Sequence, residues 1–117
     1  MRDHYPRTAI VMTEWGAEAR PELADAPASL KGSYGFQTFH AQRTLDVIDR
    51  SPVLSGAIYW TLREFEIYPG WTGGAGQRPP PYRPNTRHQK GLIDYDGAPK
   101  PAFYLVRDRY RRTPLYP

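Results

Sequence analysis

Apolar positions in this chain fall into four blocks, each with its own period. Ala9 to Met12 is a continuous apolar run that leads into Thr13, Glu14, Trp15 and Gly16. An unbroken run of this kind predicts a strand buried on both faces rather than a half-exposed one. From Phe36 the pattern turns helical, with Ala41, Leu45 and Ile48 on one face and Gln42, Asp46, Asp49 and Arg50 on the other. Asp46 and Arg50 are spaced to pair along that helix. Pro52 ends it, because the residue before a proline is pushed out of the helical region. "GAIYWTL", Gly56 to Leu62, then reads as a second strand. In the last block Phe103, Val106 and Tyr110 share a face of a closing helix, and Pro101 suits its first turn.

The connections are long. Gly16 to Gly35 is rich in Ala, Pro and charge and reads as a surface segment with a short helical turn near Pro21 to Ala24. A Pro/Gly-rich loop at 63–89 holds five of the 13 prolines and four of the 10 glycines and has no sustained period. Loops longer than about 12 to 15 residues are usually functional or disordered. "KGLIDYDGAPK" predicts a short extended piece with a turn at Asp96 and Gly97. No internal repeat is present.

Strand, helix and strand in that order imply a parallel pair with a right-handed crossover. Two such strands and two helices leave apolar strand faces without cover, since parallel sheets need several strands and layers on both sides. The chain therefore reads as α/β and as part of something larger. In a (β/α)8 barrel every strand is followed by a helix, and catalytic side chains stand at the carboxyl ends of the strands. Glu14, at the end of the first apolar run, then stands at the rim of such a barrel.

Composition narrows this only slightly. At 117 residues the chain is one domain or part of one, and 39% hydrophobic with 24% charged residues is ordinary for a protein that folds in water. The opening "MRDHYPRT" lacks the apolar core of a signal peptide, and no run approaches the ~18 apolar residues needed to span a bilayer. A cytoplasmic protein without membrane contact is the expectation. There is no cysteine, and His4, His40 and His88 show no paired ligand spacing, so no metal is expected. "GWTGGAGQ" lacks the lysine and strand-to-helix context of a phosphate loop, so no cofactor is expected either. The net charge of +4 includes a cluster of Arg107, Arg109, Arg111 and Arg112. With the neighbouring tyrosines these arginines have the makings of a nucleic-acid surface. They read instead as a solvated helix end whose cations suit the dipole, and nucleic acid is not an expected partner.

Four stretches, "TAIVMTEWGAE", "YGFQTFHAQRTLDVIDR", "VLSGAIYWTLREF" and "KGLIDYDGAPKPAFYLVRDRY", resemble in order the carboxyl-terminal part of the catalytic barrel of glycoside hydrolase family 2. This family includes β-galactosidases and β-glucuronidases. The resemblance runs from about Pro6 to Tyr110 and implies that residues 1–117 carry the last two β/α units of the barrel, a partial domain. It implies a retaining β-glycosidase in which Glu14 of the "TE-aromatic-G" motif is the nucleophile. Retention needs a second carboxyl group about 5 to 5.5 Å away to protonate the leaving oxygen and then activate water. The family carries that group on an Asn-Glu pair, and the only asparagine here, Asn85, is followed by Thr86. The isolated chain is thus expected to lack its acid/base and to be inactive alone.

Further residues follow from the same resemblance. Trp60 matches a substrate-site tryptophan, and a core aromatic beside Tyr59 is the alternative reading of its position. Trp15 and Trp71 are weaker candidates. Glu64 matches the acidic position of a "W-x-x-x-D/E-F" motif, and with Glu66 it reads as a structural or substrate-contact group. Lys90 matches the lysine with which β-glucuronidases hold the sugar carboxylate in "N-x-K-G", an ion pair that discriminates uronic acids from neutral sugars. His88 stands in the asparagine position. The helix also departs from the glucuronidase pattern, with "SYGFQ" in place of "S-E-E-Y-Q". These departures leave the subgroup open. The expected partner is a carbohydrate, with self-association or a missing barrel half completing the sheet. The alternative to an enzyme piece is a non-catalytic carbohydrate-binding or assembly module derived from such a barrel.

Overall fold

The computed structural model describes residues 4, 6–68 and 87–113. Strand β1 (Val11–Trp15) lies parallel to β2 (Gly56–Tyr59), and helix α1 (Tyr34–Arg50) forms the crossover between them. β1 thus starts later than the apolar run suggests and carries Thr13 and Glu14 within it. β2 stops before Trp60. Helix α1 begins at Tyr34, two residues before the periodic pattern, because Ser33 caps it by accepting the Phe36 N–H at 2.9 Å. It ends at Arg50, as Pro52 requires.

Both helices pack on one side of the β1–β2 pair. Ala41, Leu45, Ala102 and Val106 meet Trp15, Tyr59 and Leu92 in a single core, with Ile48 and Phe103 packed against it. The helical face read from Ala41, Leu45 and Ile48 is the one that packs. The second face of the strands lacks cover in this chain, as two strands and two helices alone imply: Val11 is 45% exposed and Ile58 55%. Their faces look away from the helices, and nothing among the described residues lies there to cover them. Beside β2 runs an apolar groove of about 610 Å³, lined in part by Ile58, Leu62, Leu92, Phe103 and Val106.

Asp46 does not use Arg50 as its predicted partner. Arg109 of α2 (Pro101–Arg112) reaches across to Asp46 at 2.9 Å and Asp49 at 2.5 Å and clamps the two helices at their solvent edge. This also gives part of the arginine cluster a structural role. Tyr110 lies at the margin of its expected face, its hydroxyl donating to the Ala57 carbonyl at 3.2 Å.

The two ends of the 63–89 loop come together. Phe65–Glu66 (β3) pairs antiparallel with Arg87–His88 (β4), in register Phe65 to His88 and Glu66 to Arg87. Residues 69–86 of that loop, with Trp71 and Asn85, lie outside the described residues. A 3-10 turn occupies Pro21–Leu23, and Gly97 takes a φ of +99° in the turn that follows Asp94, both near where the sequence predicts them. Among the described residues no helix is long and apolar enough to cross a membrane.

Candidate functional site

Glu14 stands where β1 slips by one residue. Met12 is opposite Ala57 and Trp15 is opposite Tyr59, so Thr13 and Glu14 together face Ile58 alone. Strict alternation would put Glu14 on the helix side with Met12 and turn Trp15 away. The extra residue instead leaves Glu14 exposed and sends Trp15 into the core, edge-on to Tyr59 at 4.7 Å. Bulges of this kind re-aim a side chain and are common beside active sites.

The next residue locks the two strand ends together. Gly16 has φ +150°, and a Cβ there would come within 2.6 Å of the Trp60 carbonyl oxygen and 3.2 Å of the Tyr59 ring. Only glycine fits this approach. Trp60 N–H donates to the Trp15 carbonyl at 2.7 Å, so Trp60 leaves the sheet at the same carboxyl end as Glu14. The Trp60–Thr61 peptide is cis.

Trp60 belongs to a ring cluster rather than to the core. Its side chain is 39% exposed, and its indole N–H donates to His88 Nε2 at 3.3 Å. Because Nε2 accepts, a neutral His88 carries its proton on Nδ1. Phe65 stacks on His88 at 4.6 Å with the planes 7° apart, and the Trp60 ring stands edge-on to both. The β3–β4 pairing sets Phe65 opposite His88 and so builds this cluster. Lys90 follows two residues later, half-buried, on a segment whose backbone is held from below. There Gln37, fully buried on α1, donates through Nε2 to the carbonyls of Ala17 (3.0 Å), Lys90 (3.3 Å) and Gly91 (3.3 Å). Glu14, Trp60, His88 and Lys90 thus belong to three segments that converge at one end of the sheet.

Glu64 is different. Its carboxylate is buried against the Lys100 ammonium, with side-chain exposures of 2% and 1%. Its second oxygen accepts the Tyr95 N–H at 3.1 Å. Of the two roles open to it, the geometry fits the structural one, because both oxygens are turned inward. Glu66 is exposed and accepts the Tyr95 hydroxyl at 2.9 Å. Burial pushes the Lys100 pKa down, and the hydrogen bond and charge of Glu64 oppose that shift. Burial likewise pushes the Tyr59 hydroxyl up to about 12. That hydroxyl lies beside Gln37 and the Ala17 backbone without closing a hydrogen bond of normal geometry.

Sequence reasoning missed Phe65, Gln37 and Lys100. For Lys100 one signal was present: a lysine occupies the N-cap of α2, where Ser, Thr, Asp or Asn is preferred and where the dipole disfavours a cation. Among the described residues no group of three or more His, Cys, Asp or Glu is arranged to hold a metal ion. An exposed carboxylate and a partly open indole stand at the carboxyl ends of the two parallel strands, with Lys90 on the segment that leaves β4.

No protein-family model matches the chain, and no curated protein matches it. Solved structures do. A family 2 β-galacturonidase from Eisenbergiella tayi, bound to galacturonate, is 28% identical with a TM-score of 0.74, over 91% of this chain and 17% of that one. The Ruminococcus gnavus β-glucuronidase gives 21% identity and a TM-score of 0.75, over 97% and 17%. A Bifidobacterium dentium β-glucuronidase complexed with coumarin-3-O-glucuronide gives 23% and 0.75, over 98% and 17%. The chain therefore spans a small part of the enzymes it matches, and within that part it is related to glycoside hydrolase family 2.

Proposed function

We propose that this chain is the carboxyl-terminal portion of the catalytic (β/α)8 barrel of a retaining β-glycosidase acting on uronic-acid glycosides. Residues 1–117 supply its last two β/α units, and the paired Phe65 and His88 border the sugar site. Glu14 is the nucleophile: its carboxylate attacks the anomeric carbon and displaces the leaving oxygen, and water then releases the sugar. The acid/base lies on a part of the barrel this chain does not carry, since Glu64 is sealed against Lys100 and Glu66 is engaged with Tyr95. Trp60 offers its ring face to the sugar, and Lys90 with His88 binds the sugar carboxylate.

The observation that carries this reading is the register slip that exposes Glu14 beside Trp60 at the carboxyl end of two parallel strands. Kinship with a β-galacturonidase supports the uronic acid. The second reading, a carbohydrate-binding module, is favoured by the engagement of Glu64 with Lys100 and of Glu66 with Tyr95, which leaves neither carboxyl group free to serve Glu14 as its proton donor. Turnover separates the two halves of the proposal. The isolated chain is expected to hydrolyse no chromogenic β-glycoside above a Glu14→Gln control. In the complete barrel, a slow-reacting fluorinated uronoside should attach to Glu14, located by peptide mass mapping. Label on Glu64, Glu66 or a residue outside 1–117 refutes the assignment.

A further inference from the structure

The Lys100 ammonium touches three loops at once. Besides Glu64, which follows β2, Nζ donates to the Ala19 carbonyl at 2.7 Å, in the connection after β1, and to the Gln89 carbonyl at 3.2 Å, at the exit of β4. The three acceptors lie far apart in sequence, and this atom bonds to all of them. Gln89 sits between His88 and Lys90, and its carbonyl also accepts the Ala19 N–H at 3.0 Å. Glu64 in turn lies one residue before Phe65, whose ring stacks on His88.

Helix formation does not account for this lysine, since its side chain caps nothing in α2. Stability does not require a charge here either, because a buried ion pair is often replaced by apolar residues of similar volume without loss. What the pair does, and an apolar pair cannot, is fix the height of three backbone segments by directional bonds.

We propose that Lys100, with Glu64, is a positioning residue for the sugar site, holding His88 and Lys90 in place against Trp60 and Glu14. This rests on the reading of those four residues as the sugar site. The pair touches no substrate. It sets the height of the Gln89 carbonyl and the place of Phe65, and through them the His88 ring that receives the Trp60 indole N–H.

The test uses the full chain, galacturonate as probe, and the double variant Glu64→Leu/Lys100→Met, which leaves no unpaired charge. The double variant is expected to melt cooperatively with native helix content. Its Trp60 indole N–H resonance should move toward that of an unbonded indole, and its galacturonate affinity should fall about tenfold, as expected for a misplaced contact group. Glu64→Gln, which keeps size and an acceptor oxygen, should show the same two changes in smaller measure. A folded double variant in which either the indole resonance or the affinity stays at the wild-type value overturns the proposal. So does unfolding of both variants, because the pair would then hold up the fold rather than the site. Wild-type chain that binds no galacturonate would sink the uronate reading, and the indole resonance alone would then decide the role of Lys100.

Discussion

Gly91 follows Lys90 directly, and an alanine there should be among the most damaging single-methyl changes in the chain. A Cβ at this position would lie 2.5 Å from the Glu64 backbone nitrogen, 2.5 Å from the Ile93 carbonyl oxygen and 2.7 Å from Glu64 Cγ. The first two atoms are the donor and acceptor of one hydrogen bond, Glu64 N–H to Ile93 O at 3.0 Å. Neither can yield freely, because Ile93 N–H is itself bonded to Leu62 O at 2.8 Å and Leu92 N–H to Thr61 O at 3.1 Å. The methyl must therefore break the Glu64 bond or push the two segments apart. Breaking a buried bond costs about 1 to 3 kcal/mol and forced overpacking about 1 to 3 more, so a loss of about 3 kcal/mol is expected. Gly56→Ala is the control, since its Cβ would meet only Val11 Cγ1, at 4.0 Å. It should stay within about 0.5 kcal/mol of wild type. Thermal unfolding followed by circular dichroism reads the difference, at about 4 °C per kcal/mol for a domain of this size. Hydrogen exchange of the Glu64 amide shows whether the loss is local. A Gly91→Ala chain that melts with the Gly56→Ala control and keeps its Glu64 amide protected would refute the packing reasoning.

Two other expectations can be checked on the same material. The Tyr59 hydroxyl, ordinarily near 10.0 and raised to about 12 by burial, keeps its proton in the folded state while the unfolded chain loses it; stability is intact below pH 10 and falls as pH rises toward 12. The full loss is about 3 kcal/mol, so wild type should lose its standing relative to Tyr59→Phe across that window, and parallel pH–stability curves would contradict it. The uncovered face with Val11 and Ile58, together with exposed Leu62, should make the chain self-associate; sedimentation showing a monodisperse monomer, with protection of the β1 and β2 amides, would mean that these residues find cover within the chain.

What could be read in the sequence was what neighbours along the chain decide. The strand-helix-strand order, the Ala41–Leu45–Ile48 face, the stop before Pro52 and the turn at Gly97 each follow from a local period or a single residue's backbone limits. The rest depends on partners remote in sequence. The slip in β1 exists only relative to β2, and β3 forms only because His88 returns to Phe65 across the long loop. Asp46 had a partner within reach on its own helix and took Arg109 instead. Lys100 was the hardest to foresee, since a lysine is almost never fully buried unless it is paired, and its acceptors come from three segments. Of the site, Glu14 and Trp60 were visible as residues at the ends of apolar runs, whereas the contact between Trp60 and His88 was not.

The one-residue slip in β1 has a bearing on how such a site can change over time. In a regular strand, position 14 would share a face with Met12, and any replacement there would have to suit the helices beneath. With the slip, Trp15 meets the demands of the core and position 14 answers only to what lies outside. The two residues are then free to vary for separate reasons, and a new side chain can be tried at the rim without a second change to repair the layer below. Removing one residue between Met12 and Trp15 would couple them again, and every later substitution at the rim would be tested first for packing and only afterwards for chemistry.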